Sequence, residues 1–281
     1  GVRTVNAKLV KYPGHAEWTE VFDLAVDPYE LKNLAANPAA TAKLSAEFDA
    51  QVKAVNYVVP PNADKPRPPT VQAQQRPARR PDPTLATVTD EPGLPRVLLI
   101  GDSISMGYTL PVRELLKGKA NLHRIPANGG STKDGVVSIE SWLGRGKWDA
   151  IHFNWGLHDL KHWKDGKLDP AGPQVCTLDE YENNLRELVK RMKATGAKLI
   201  WATTTPVPEG TDGRTAGDEL KYNEAASRVM KELGVPTNNL HALCLPKLAD
   251  WQLPKNVHFK PEGSAGLATK VAAEIETALK K

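Results

Sequence analysis

Beyond residue 96 the chain alternates short runs of β-branched and leucine residues with longer segments whose apolar positions recur every three or four residues. No other feature restricts the fold as sharply. Val97 to Ile100 contains no polar residue, the pattern of a strand buried on both faces rather than one. Asn121 to Pro126, Ala150 to Trp155, Lys198 to Thr204 and Asn238 to Leu243 read as four further strands. Helices fall between them over about Thr109 to Lys117, after Thr132, after Thr177 and over Asp218 to Leu233, and a last helix begins at Ser264. The helix after Thr177 opens on the capping box Thr177-Leu178-Asp179-Glu180. It carries Leu178, Tyr181, Leu185, Leu188 and Met192 on one face and stops at Gly196. Strands that alternate with helices pair in parallel through crossovers, so the expected fold class is α/β. The expected form is a three-layer α/β/α doubly wound parallel sheet of about five strands in flavodoxin-like order.

The composition shifts ahead of this region. Ten of the chain's 23 prolines fall between Pro60 and Pro95, and proline removes backbone donors and fixes φ, so neither a helix nor a central strand is expected there. The reading is a small α+β segment over residues 1–57, a Pro-rich linker over 58–95 and the main domain over 96–281. In the first segment, Ala7 to Tyr12 and Thr19 to Leu24 read as strands. Asp27-Pro28-Tyr29-Glu30 carries a helix-start signal, which Asn37-Pro38 repeats, and Leu44, Phe48, Val52 and Val55 then follow helical spacing.

Charge excludes several classes of partner. The 37 basic residues face 33 acidic ones, and the one basic cluster, Arg76 to Arg80, sits among prolines as a solvated linker would. No nucleic-acid partner is expected, and no membrane partner either, because no apolar run approaches the length that spans a bilayer. Cys176 and Cys244 have no metal-ligand spacing; they either bridge or lie buried as free thiols. His158 and His162 are four apart, as two metal ligands on a helix would be, yet no third ligand accompanies them. Neither a metal nor a cofactor is expected.

Chemistry gathers at the ends of the strands. Ser103, in Gly101-Asp102-Ser103-Ile104-Ser105-Met106-Gly107, follows the first strand where a helix opens, and the peptide N–H groups of that helix favour negative charge. Gly101-Asp102-Ser103 after a strand resembles block I of the SGNH (GDSL-type) hydrolases. Asn128-Gly129-Gly130-Ser131-Thr132, after the second strand, resembles block II, and the resemblance makes the Gly130 N–H an oxyanion donor. Asn154-Trp155-Gly156-Leu157-His158-Asp159 aligns with block III, Gly-x-Asn-Asp, with His158 in the place of the family's asparagine. Asn256-Val257-His258-Phe259 lies where block V, Asp-x-x-His, is expected, and Lys255 occupies the aspartate position. The resemblance therefore implies Ser103 as nucleophile, His258 as base, and Ser103, Gly130 and His158 as the oxyanion hole. Asn256 and Glu262 are the candidates for orienting His258 in place of the missing carboxylate. Trp155 and Trp163 flank block III and are candidate substrate contacts, since aromatic faces suit sugar rings.

Residues 1–57 resemble a different family. Lys8-Leu9-Val10-Lys11-Tyr12-Pro13-Gly14, Val21-Phe22-Asp23-Leu24 and the stretch from Asp27 to Ala35 are similar to the C-terminal subdomain of sulfatases. The sulfatase catalytic motif, Cys or Ser followed by x-Pro-x-Arg, does not occur; Cys244-Leu245-Pro246-Lys247-Leu248 comes nearest and lacks the arginine. Together the two resemblances imply a serine esterase that removes small acyl groups, acetyl above all, from a carbohydrate or polysaccharide. They also imply a secreted or periplasmic bacterial setting and the remainder of a sulfatase polypeptide as a covalent partner. The alternatives are a non-catalytic glycan-binding module that keeps the esterase fold, and a general short-chain carboxylesterase.

Overall fold

Five short strands form one sheet in which every pairing is parallel: β4 (Arg96–Ile100), β5 (Asn121–Arg124), β6 (Ala150–Phe153), β9 (Lys198–Ala202) and β10 (Thr237–Asn238). These are elements of a computed structural model that describes residues 1–12, 15–27, 30, 32–58 and 82–280. The spatial order β10-β9-β6-β4-β5 is the flavodoxin-like order expected of the sequence. β4 lies between β6 and β5 with Val97 to Ile100 essentially inaccessible to water, which is why that run carries no polar residue.

Helices cover both faces. α2 (Ser103–Leu115) packs on α8 (Pro261–Lys280), while α3 (Thr132–Leu143), α4 (Leu178–Ala194) and α5 (Asp218–Glu232) pack in series. α4 keeps the expected capping box, and Tyr181, Leu185, Leu188 and Met192 face the core. Three boundaries differ from expectation, the slightest being the start of α8 at Pro261 instead of Ser264. The stretch after Thr237 turns helical instead of extending as a strand, because the Asn239 side chain accepts from Ala242 N and caps α6 (Leu240–Cys244). Helix α2 begins six residues before Thr109, on Ser103 itself. Short elements complete this unit: the hairpin β7 (Trp163–Lys164) and β8 (Lys167–Leu168), and α7 (Leu248–Trp251).

The chain divides into two compact units, Gly1–Ala78 and Arg79–Lys281. Residues 82–95, read as the end of the linker, are ordered parts of the second unit. Asp82 caps a 3-10 turn at Pro83–Leu85, Arg113 donates to the Pro83 and Ala86 carbonyls, and Asn121 Nδ2 donates to Glu91 and Leu94 O. Most of the Pro-rich stretch, including Arg76 to Arg80, lies in 59–81, outside the described residues.

In the first unit β1 (Val2–Arg3), β2 (Ala7–Tyr12) and β3 (His15–Asp23) form an antiparallel sheet, and α1 (Pro38–Ala54) starts from an Asn37 cap. Val2, Leu9, Val21 and Leu44 make its small core. The earlier helix-start signal gives no helix among the described residues. Asp27 Oδ2 accepts from Lys32 N and Glu30 takes a left-handed conformation, while Pro28, Tyr29 and Leu31 lie outside the described residues.

Candidate active site

Ser103 owes its position to a two-residue turn. β4 ends at Ile100, Gly101 and Asp102 reverse the chain, and α2 starts on the serine, with the buried Asp102 carboxylate accepting from Ile104 N at 2.9 Å as N-cap. The Ser103 N–H, at the first helical position, is one of the donors that a helix leaves without an internal acceptor.

His258 comes from the turn ahead of α8, 155 residues away in sequence, and its Nε2 lies 2.8 Å from Ser103 Oγ. On the other side of the ring, Nδ1 lies 2.7 Å from Asn256 Oδ1, which also accepts from the His258 backbone N–H at 3.0 Å. Two donors converging on one atom identify it as the amide oxygen. The imidazole proton then sits on Nδ1, leaving Nε2 free to accept from the serine hydroxyl. Glu262, the other orienting candidate, stands exposed in the first turn of α8 with no hydrogen bond among the described residues. Lys255 adopts a left-handed backbone, φ 53°, and lays its stem against Gly210.

Gly130 takes φ +58°, and a Cβ there would fall 2.4 Å from Asp134 Oδ2, so only glycine fits the turn. Its N–H donates to Asn128 Oδ1 at 3.0 Å, so this expected oxyanion donor is engaged within its own loop. His158 is half-buried, with Nδ1 facing Lys161 Nζ at 3.4 Å. Burial depresses its pKa most; Asp102 opposes this, whereas Lys161 and Arg214 push it further down. An ammonium can only donate, so Nδ1 accepts and the proton of the neutral ring is on Nε2, which is the tautomer with a donor to spare.

The two tryptophans part company. Trp155 is completely buried and donates its Nε1–H to Gly129 O at 3.1 Å, so it braces the site from below and does not meet substrate. Trp163, on β7, is 41% exposed. His158 and His162 do not share a helix, because residues 157–161 form a turn. His162 Nδ1 instead bonds Gly172 O at 2.7 Å. Among the described residues no three His, Cys, Asp or Glu side chains gather as a metal site. Cys176 and Cys244 are free and buried, and burial pushes both thiols up to about 12.

These turns are held together by residues within the motifs and by one, Arg124, outside them. Arg124, at the end of β5, is buried and donates to Ser105 Oγ at 2.6 Å, Gly101 O at 2.8 Å and Asp102 O at 3.2 Å, gripping the turn on either side of the serine. Burial without a carboxylate partner brings its guanidinium down to about 10. The Gly129 N–H donates to Gly101 O at 2.9 Å and ties block II to block I. Asp159 Oδ1 accepts from Thr132 N at 2.8 Å and Thr132 Oγ1 at 2.5 Å, tying block III to the start of α3, and burial raises its pKa to about 6. Nothing in the sequence signalled Arg124, which ends the mostly polar strand Asn121-Leu122-His123-Arg124, nor Lys161 nor Arg214.

The GDSL-like Lipase/Acylhydrolase family matches residues 99–265. The fold is shared with solved structures: an acetyl xylan esterase, AlAXEase, is 17% identical with TM-score 0.54, the match covering 64% of this chain and 99% of that one. The lipase/acylhydrolase from Enterococcus faecalis is 18% identical with TM-score 0.54, over 66% of this chain and 96% of that one. The acetylxylan esterase Axe2 from Geobacillus stearothermophilus is 22% identical with TM-score 0.53, over 64% and 94%. No curated protein matches the sequence.

Proposed function

Because the chain belongs to the GDSL-like lipase/acylhydrolase family, whose profile matches more than half of it, we propose that it is a serine esterase removing small acyl groups, acetyl above all, from carbohydrate. One observation carries the reading: a serine hydroxyl at a helix start lies 2.8 Å from an imidazole whose far nitrogen is held by an amide oxygen at 2.7 Å. The Ser103 Oγ lone pair attacks the ester carbonyl as His258 Nε2 takes the hydroxyl proton, and the carbonyl electron pair moves onto oxygen. The Ser103 N–H and the His158 Nε2–H stabilise that oxyanion, and the Gly130 N–H joins them when the Asn128 amide turns aside. Collapse expels the sugar oxygen, which receives the proton from His258. Water then attacks the acyl-enzyme with His258 again as base, releasing the carboxylic acid and restoring Ser103.

Asn256 takes the orienting task that a carboxylate performs in a full triad. The acetyl xylan esterases among the solved relatives support acetyl as the acyl group. The sulfatase-like residues of the first unit support a polysaccharide acted on outside the cytoplasm, within a longer sulfatase–esterase polypeptide. The test is hydrolysis of p-nitrophenyl acetate and of acetylated xylo-oligosaccharide by the parent and by Ser103→Ala. Turnover by the parent and its loss in the variant are expected, with folding retained because Asp102 and not Ser103 caps the helix. Activity surviving in Ser103→Ala would place the nucleophile elsewhere.

A further inference from the structure

Lys161 and Arg214 stand on two loops that leave the carboxyl edge of the sheet from adjacent strands, since β6 and β9 pair Phe153 with Trp201. Lys161 closes the turn that carries His158, and its ammonium lies 3.4 Å from His158 Nδ1 and 5.0 Å from the centre of the Trp163 ring. Arg214, on the loop between β9 and α5, donates Nε to Leu157 O at 2.9 Å and Nη1 to Asp212 O at 3.5 Å, which leaves Nη2 without a partner among the described residues. Both cations are anchored on the His158 turn by neutral atoms only. Neither has a carboxylate within ion-pair distance among the described residues, although solvent-facing Arg186 and Arg228 do.

The carboxylates nearest to them are already committed. Asp102 caps α2, Asp134 accepts from Ser131 N and Oγ, and Asp159 is fully buried against Thr132. Two cations are thus held half out of water against the His158 turn with no carboxylate in direct contact; Asp102 attracts Arg214, and Asp134 and Asp159 attract Lys161, only from longer range. A protein gains nothing in stability from that arrangement: each charge forfeits hydration, and the pair repel one another. Burial indeed lowers the pKa of both groups. An anion arriving between them would be bound in a partly desolvated place, where charge-assisted hydrogen bonds are strongest. The exposed Trp163 face beside Lys161 gives a sugar ring a surface to lie on.

We propose that Lys161 and Arg214 form an anion-recognition subsite, and that the acyl group removed at Ser103 is carried on an acidic sugar, one bearing a carboxylate or a sulfate near the ester. The inference rests on the serine esterase reading and adds the charge of the substrate to it. Three acetylated methyl glycosides test it, identical except at C6: hydroxymethyl, carboxylate and sulfate ester. The kcat/KM of the preferred charged sugar is expected to exceed that of its neutral twin by between about tenfold and a hundredfold, the worth of one or two hydrogen bonds to charged groups. The carboxylate and sulfate arms identify which anion the site takes.

Arg214→Gln, which keeps a donor for Leu157 O, is expected to lower the ratio of charged to neutral kcat/KM by about tenfold. A variant-free check is sodium chloride, which should erode the ratio in the parent protein as it screens the exposed part of the attraction. Equal kcat/KM on all three sugars, or an Arg214→Gln variant that slows neutral and charged sugars by one factor, would overturn the subsite and leave the esterase standing. The second pattern would mean that the cations serve the oxyanion and not the substrate. Absence of turnover on every ester, p-nitrophenyl acetate included, would remove the esterase and the subsite together.

Discussion

Replacing Asn256 isolates the step on which the proposed chemistry depends most. Its Oδ1 holds His258 Nδ1 at 2.7 Å and the His258 N–H at 3.0 Å, so one atom fixes both the tautomer and the backbone of the base. Asn256→Asp preserves both bonds and adds a negative charge beside the imidazolium that forms during attack. An opposite charge at that distance raises a histidine pKa by about one to three units. Because His258 is exposed, the lower end, about one unit or 1.4 kcal/mol, is expected. The base works only when neutral, so the acid limb of the pH profile of kcat/KM should move up by about one unit. Above that limb the rate should rise by up to about tenfold, the same energy applied to the transition state. Asn256→Leu removes the acceptor and with it control of the tautomer, and should cost about a hundredfold or more in kcat; loss of a proper carboxylate acceptor in the serine proteases costs about 10⁴. Initial rates on p-nitrophenyl acetate between pH 5 and 9, with circular dichroism to confirm folding, decide the matter. A leucine variant as active as the parent, or an aspartate variant with an unmoved acid limb, would refute the orienting role.

His158→Ala should lower kcat by about a hundredfold, while His158→Asn, which supplies an amide N–H in its place, should stay within about tenfold of the parent; an alanine variant of full activity would exclude His158 from the oxyanion hole. Arg124→Leu strands the Gly101 and Asp102 carbonyls and Ser105 Oγ, and should destabilise the fold by about 3 kcal/mol or more in urea unfolding. An Arg124→Leu midpoint equal to the parent's would mean that water replaces the guanidinium at no cost. Asp159 is raised to about 6 in the folded state from an ordinary carboxyl near 3.8. Both states are therefore protonated at low pH, and stability is lost as pH rises through 6, by on the order of 2 to 3 kcal/mol. Asp159→Asn keeps an acceptor for Thr132 and should flatten unfolding free energy between pH 4.5 and 7; an unchanged slope would assign that dependence to other groups.

The fold was legible because its determinants are local. A five-strand parallel sheet follows from apolar runs separated by helical periodicity, and four of the five strands lie within two residues of where the pattern places their starts and ends. The fifth was misjudged in extent because Leu240 and Leu243 satisfy a short strand as well as one turn of helix, and the Asn239 cap decides between them. The pairing of Ser103 with His258 was readable only through the resemblance to a family, since nothing in the sequence between two residues 155 positions apart states that the two ends meet. Arg124, Lys161 and Arg214 were invisible for a different reason. A single cation in a loop or at a strand end carries no periodicity, and the two arginines bond mostly to backbone carbonyls, which every residue supplies. Trp155 was misread because block III places it next to the reacting centre in sequence, while the stretch that follows β6 buries the ring and bonds its Nε1–H to Gly129 O.

A neutral acceptor behind the base and, on the His158 turn, cations with no direct ion pair among the described residues fit one another once the substrate carries the negative charge. Asn256 is a neutral acceptor and adds no charge beside the imidazolium that forms at His258 during attack. Unit charges about 10 Å apart interact by between about 0.4 and 1.7 kcal/mol as the effective dielectric constant falls from 80 to 20. An anionic sugar held at such a range would therefore speed proton transfer to His258 by between about twofold and about twentyfold. Charge recognition and base strength are then coupled, so a charged substrate should gain in kcat and not only in KM, whereas a site that merely binds the anion would change KM alone. The matched acetyl glycosides distinguish the two cases: a ratio of kcat values near one, with the whole preference in KM, would show that the anion anchors the sugar without touching the chemistry at Ser103.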